Sequence, residues 1–123
     1  MGNFKSITEL LQYHQINELE YIIQKSPAFE DLDQRRLLIE DTLGCCRYRV
    51  PAYDEFTVFS SKNEISARTL LEKLDGFRDY WDGEKHPVGA FLEVMRKKLV
   101  STDHPLYAES LDYFSDIIDK GAY

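Results

Sequence analysis

The sequence predicts an all-α fold: a compact bundle of five or six helices in one domain, residues 1–123, with one long aromatic loop at about residues 45–62. Three observations lead there. Apolar residues recur three and four positions apart through most of the chain, the period of a helix with one buried face. Several of these stretches follow a Ser, Asn or Asp that stands three residues before Glu or Gln, the signature of a helix start. Prolines sit where helices open or stop, and no two strand-like runs are placed to pair as a sheet.

Ser6 and Glu9 form the first such box, ahead of Leu10 and Leu11, with Phe4 as its hydrophobic staple. This helical stretch runs to about Gln15. Asn17 and Glu20 repeat the signal near Leu19, Ile22 and Ile23, so either one long helix or a bent or interrupted pair is expected. The pair is favoured, with its joint near "YHQIN". Pro27 stops the element, and "SPAFEDLD" reads as a short linker anchored by Phe29 and Leu32. Asp31 with Gln34 caps the next helix, whose inward residues are expected to be Leu37, Leu38 and Leu43 and whose end is Gly44.

"CCRYRVPAYDEFTVFSSK" is the least helical stretch and reads as an ordered loop pinned by Tyr53, Phe56 and Phe59. Ser61 with Glu64, or Asn63 alone, is the expected cap of a helix carrying Ile65, Leu70, Leu71, Leu74 and Phe77. "YWDGEKHP" is a turn. Pro87 suits the first position of the helix that follows, with Val88, Phe91, Leu92, Met95 and Leu99 as its inner stripe. Pro105 opens the last helix, which buries Leu106, Tyr107, Leu111, Phe114 and Ile118.

A chain of 123 residues with 43% hydrophobic and 13% aromatic residues can build a core, expected to be dominated by Ile, Leu, Phe and Tyr. No apolar run reaches the length of a membrane span, and "MGNFKSITELL" lacks the charged and then apolar pattern of a signal peptide. Gly2 and Ser6 fit a loose myristoylation pattern that short sequences match by chance. Twenty-two acids against fifteen Lys and Arg give a net charge of -7, which disfavours binding to a nucleic-acid backbone and suits a basic partner surface. Cys45 and Cys46 are adjacent and make a poor disulfide, so a reducing, cytoplasmic compartment is the simpler expectation.

Marked chemistry is sparse. His14 and Glu18 stand four apart on a helix, but two ligands do not make a metal site. His86 and His104 each precede a proline at a helix start, where capping accounts for them. No ordered nucleophile, base and acid, and no phosphate-cradling glycine motif, points to an enzyme. No catalytic residue, metal or cofactor is therefore expected.

Charge placement is more informative. Arg35 and Arg36 lie near one helix start, Arg47 and Arg49 beyond its end, and Arg96, Lys97 and Lys98 form a second basic cluster. Acids gather at Glu30, Asp31 and Asp33, at Asp79, Asp82 and Glu84, and at Asp112, Asp116 and Asp119. Separated patches of this kind can set the register of contacts between copies or relatives of a domain; ordinary surface ion pairs explain them equally well.

The stretch "IIQKSPAFEDLDQRRLLIEDTLG" resembles the opening of bacterial effector-associated domains: a helix, a turn carrying Pro27 and Phe29, an acid at Asp31 or Asp33, and an arginine-led helix from Arg35 or Arg36 to Gly44. Residues 67–99 resemble that family's pair of helices joined by a turn, and "HPLYAESLDYF" its closing helix. The likeness covers about residues 18–118 and rests on apolar and arginine spacing. It does not account for the "SITELLQYHQ" helix, nor for so aromatic a connector at 45–62.

The resemblance implies a small helical adaptor that recruits an effector through contacts between domains in bacterial conflict systems. A non-catalytic interaction module is thus the leading expectation. Its contact residues are Arg35, Arg36, Arg47, Arg49, Arg96 and Lys97 on the basic side, and Glu30, Asp31, Asp33, Asp79 and Asp82 on the acidic side. The expected partner is a protein, either a related helical domain or a second copy, with no nucleic acid and no membrane. The alternative is a freestanding acidic inhibitor (an immunity protein, antitoxin or phage anti-defence protein) that blocks a basic surface and uses Tyr48, Tyr53, Phe56 and Phe59 as its contact.

Overall fold

The helix at Pro87–Ser101 begins inside the protein. His86 and every residue from Pro87 to Leu92 are buried, so its first two turns are covered on all sides. A helix surrounded in this way must be apolar all round, and Val88, Ala90, Phe91 and Leu92 meet that demand. A computed structural model describes residues 4–43, 66–76, 78, 85–101 and 105–121. Every regular element among the described residues is a helix: α1 (Ile7–Leu10), α2 (Tyr13–Lys25), α3 (Pro27–Glu30), α4 (Leu32–Leu43), α5 (Ala67–Gly76), α6 (Pro87–Ser101) and α7 (Pro105–Gly121). α1 and α3 are single turns.

The central helix α6 packs most extensively on α7 and is also covered by α4, α5 and α3. α2 lies against α5, α3 and α7, and α1 sits across the end of α7. The shared core is built around Phe29, Phe91 and Phe114, with Leu19, Ile23, Leu38, Ile39, Leu70, Leu71 and Leu74 fully buried between them. Gly89 lets α7 approach α6 closely: a Cβ there would stand 3.0 Å from Asp119 Oδ1.

Pro87 and Pro105 open α6 and α7 as the sequence predicts. The inner stripes of α5, α6 and α7 are also as expected at Leu70, Leu71, Leu74, Val88, Phe91, Leu92, Met95, Leu111, Phe114 and Ile118. Asp31 caps α4, its Oδ1 accepting the Gln34 N–H at 3.0 Å. Residues 44–65, including Cys45, Cys46 and the aromatic loop, lie outside the described residues, as do Phe77, His104 and the side chains of Leu32, Leu43, Leu99, Leu106 and Tyr107.

Four local expectations need correction. The break in the N-terminal pair comes at Leu11 and Gln12, before "YHQIN", because Gln15 Oε1 accepts the Gln12 N–H at 2.8 Å and starts α2 there. Ser6 does precede α1, but its hydroxyl is 2.7 Å from Thr8 Oγ1 and makes no cap bond to the backbone; the Ile7 N–H instead donates to Asp75 Oδ1, 68 residues away, at 3.0 Å. α5 begins at Ala67 with Ser66 as its cap, since Ser66 Oγ accepts the Thr69 N–H at 3.2 Å. Finally, Leu37 is 39% exposed. The buried face of α4 runs through Arg35, Leu38, Ile39 and Thr42, a regular helical stripe that places Leu37 about 150° away from its centre.

That correction makes a direct test. Leu38→Ala should lower the unfolding free energy by about 2–5 kcal/mol, the usual cost of emptying a filled core position. Leu37→Ala should stay within about 0.5 kcal/mol of the parent. Urea unfolding of both variants, with unchanged slopes, distinguishes the two faces.

Candidate protein-contact surface

Arg35 is 4% exposed. Its Nε donates to the Phe29 carbonyl at 2.8 Å, and its guanidinium lies 4.4 Å from the centre of the Phe29 ring. The arginine therefore closes the end of α3, where unpaired carbonyls favour a cation, and clamps the α3 turn onto α4. Burial pushes its pKa down from the ordinary arginine value. The expectation that Arg35 is a surface contact residue is corrected: its charge is spent inside the fold.

Arg36 is exposed on α4, in the same part of the chain as Glu30, Asp31 and Asp33, which are also exposed. Asp31 is engaged as the cap of α4. Arg96 and Lys97 stand on the outer side of α6, but each faces an acid of the same chain. Arg96 Nε is 3.4 Å from Asp112 Oδ1 on α7, and Lys97 Nζ is 3.7 Å from Glu93 Oε1 one turn earlier. Lys98 Nζ lies 3.8 Å from Asp41 Oδ2 on α4. The second basic cluster is thus an interhelical tie between α4, α6 and α7. Arg47, Arg49, Asp79 and Asp82 fall outside the described residues.

Other side chains form a surface that the sequence reading missed. Tyr13 and Tyr21 on α2 are 72% and 63% exposed. They stand eight residues apart with Asn17 midway, so the three share one helix face. Beside them, α2 and α5 border an open groove of about 290 Å³ lined by Asn17, Glu20, Tyr21, Gln24, Ser66 and Arg68, among others. Arg68 Nε donates to Glu20 Oε1 at 2.8 Å across the groove. Glu20 first, and then the Tyr13 phenol, hold the Arg68 pKa above its ordinary value. Lys25 Nζ sits 5.9 Å from the Tyr21 ring centre. Gln24 Oε1 accepts the Ala67 N–H at 2.9 Å and fixes the start of α5 against α2.

This surface has two exposed aromatics, an arginine and neutral hydrogen-bonding groups. Tyr and Arg are among the side chains most often found at the energetic centres of protein interfaces. The signal is present in the sequence as two tyrosines on α2 lying off the Leu19, Ile22 and Ile23 stripe, whereas composition counts tyrosine among the residues that dominate the core. Tyr113 on α7, 58% exposed, corrects that assignment in the same way.

Among the described residues, no group of three or more His, Cys, Asp or Glu is placed to hold a metal ion, and no helix is long and apolar enough to cross a membrane. No protein family, curated protein or solved structure matches the chain.

The two neighbouring arginines should respond oppositely to charge reversal. Arg35→Glu places a carboxylate against the Phe29 carbonyl and should cost at least about 3 kcal/mol of stability, as when one partner of a buried ionic contact is removed. Arg36→Glu should change stability by no more than about 0.5 kcal/mol. Thermal unfolding followed by circular dichroism reads both.

Proposed function

We propose that this chain is a non-catalytic protein-interaction module whose principal contact is the face of α2 and α5 carrying Tyr13, Asn17, Tyr21 and Arg68. The observation that carries this reading is the pair of tyrosines, 72% and 63% exposed on one face of α2, with Tyr21 bordering a groove. Such residues offer large contact area at a small cost in side-chain entropy. The Arg68–Glu20 pair is already formed in the free protein, so it presents an ordered polar edge to a partner.

The intramolecular pairing of Arg96, Lys97 and Lys98 shifts the reading from charge-driven assembly toward aromatic contact. The partner is a protein; in the setting implied by the resemblance to effector-associated domains, it is a related helical domain that brings an effector to its sensor in a reducing, bacterial cytoplasm. A second reading, an acidic inhibitor of a basic surface, is favoured by the exposed acids Glu30, Asp31 and Asp33 where α3 meets α4.

Site-specific photo-crosslinking in the native host separates these readings. A crosslinking side chain at position 13 or 21 should capture a discrete protein partner, whereas one at position 72, on an exposed part of α5, should not. The double variant Tyr13→Ala, Tyr21→Ala should weaken binding of the captured partner at least about thirtyfold, the effect of losing one strong interface residue, with its melting temperature unchanged. Capture only from positions 30 and 33 would replace the adaptor reading with the inhibitor. Capture from neither surface would reject both.

A further inference from the structure

Residues 4–11 meet the bundle through two polar ties. The Lys5 carbonyl is 2.8 Å from His86 Nε2, and the Ile7 N–H is 3.0 Å from Asp75 Oδ1. Around these ties Phe4, Ile7 and Leu11 are buried, with the Phe4 ring edge-on to His86 at 5.7 Å between centres. His86 also serves α6: its Nδ1 accepts the Val88 N–H at 3.1 Å. One tautomer satisfies both contacts, with the proton on Nε2 and the lone pair on Nδ1.

We propose that segment 4–11 is a pH-sensitive latch, closed while the His86 ring is neutral and released when that ring takes up a proton. The added proton must go to Nδ1, where it meets the Val88 N–H, donor against donor. The charged ring keeps its Nε2 donor for Lys5 but loses the α6 cap, so relieving the clash requires the ring to turn away from Val88. Two carboxylates face it instead. Asp75 Oδ1 on α5 lies 3.6 Å from Nε2, and Asp119 on α7 bears on the same ring, its Oδ1 buried with no hydrogen-bond partner among the described residues. When the ring turns to Asp75, it competes for the oxygen that holds the Ile7 N–H, so both polar ties of the segment weaken together.

The surrounding charges set the direction. Burial is the strongest influence and pushes the His86 pKa below its ordinary value; the Lys5 carbonyl, then Asp75 and Asp119, oppose that shift without reversing it, while Arg78, bonded to Asp75 Oδ2 at 3.1 Å, adds to it. Lys85, next to His86 in the chain, is matched by Glu93 at 2.6 Å and Asp119 at 3.7 Å. In the open state the ring returns to about pH 6.5, the ordinary histidine value. Opening therefore takes up a proton only below that pH. The open fraction rises by up to about tenfold per pH unit as pH falls from there to the closed-state value, and is flat above it.

Hydrogen–deuterium exchange of the full chain at pH 7.5 and 5.5, corrected for the intrinsic pH dependence of exchange, tests the latch. Amides 7–11 should lose protection at pH 5.5, by up to about tenfold, while α6 and α7 keep theirs. His86→Asn, whose side-chain oxygen can cap Val88 but does not titrate, should exchange equally at both values. Unchanged protection of 7–11 in the parent protein overturns the proposal, and so does an equal loss across α6 and α7. Should the variant fail to fold, NMR titration of the parent ring decides. A proton uptake that tracks the loss of protection supports the latch; a ring that stays neutral while the segment opens refutes it.

Discussion

A helix that begins inside a protein has its first amides beyond the reach of water, and α6 is built around that constraint. Its opening residues must be apolar to be covered by α3, α4, α5 and α7, yet the N–H groups of a first helical turn have no partner within the helix. Pro87 removes one of those donors outright. His86 accepts the Val88 N–H through Nδ1, and its own carbonyl accepts the Ala90 N–H at 2.8 Å. Because the imidazole has a second nitrogen, the same side chain that starts α6 also reaches Lys5 and seats the N-terminal segment. The centre of the fold and its outermost strap thus depend on one ring.

The same economy recurs elsewhere. Asp75, near the end of α5, accepts the first amide of α1, and Arg78 bonds both to that carboxylate and to the Asp75 carbonyl at 2.9 Å. Arg35 caps the end of α3 while its stem and guanidinium fill the space between α3 and α4. In each case a polar side chain from a sequence-distant or differently oriented element completes a helix end that its local sequence leaves open. Net hydrogen bonds contribute only about 1 kcal/mol each, but a buried group left unpaired costs more. Such long-range caps therefore fix which helix ends can meet.

This also explains which features were legible in the sequence. Pro87, Pro105, Asp31 and the stripes through Leu70, Leu71, Leu74, Phe91, Met95 and Phe114 act locally or repeat with helical period, so spacing alone reveals them. The α4 stripe does not advertise itself, because two of the four positions known to be buried among its described side chains are Arg35 and Thr42; Thr42 hides its hydroxyl by donating to the Leu38 carbonyl at 2.7 Å. Leu37, the more apolar-looking choice, is left outside. Asp75 as the cap of α1 could not be read without knowing that α5 passes beside it. The exposed tyrosines of α2 were obscured for a related reason: tyrosine serves equally as core filling and as a surface side chain, and only packing decides between them.

Charge has a different part in this protein from the one its clusters suggest. Lys98 reaches Asp41, Arg96 reaches Asp112, and Lys85 lies between Glu93 and Asp119. These partly exposed pairs are individually weak and screened by salt, but they join α4, α6 and α7 in one register and reduce the positive field that the basic run on α6 would otherwise project. What α2 leaves exposed is an aromatic face edged by the ion pair of Arg68 and Glu20. On the proposed reading, a partner seated there gains from covering tyrosine rings and meets an ion pair already formed. Salt should then affect the rate of encounter more than the lifetime of the complex, as expected when charge steers association and packed aromatics retain it.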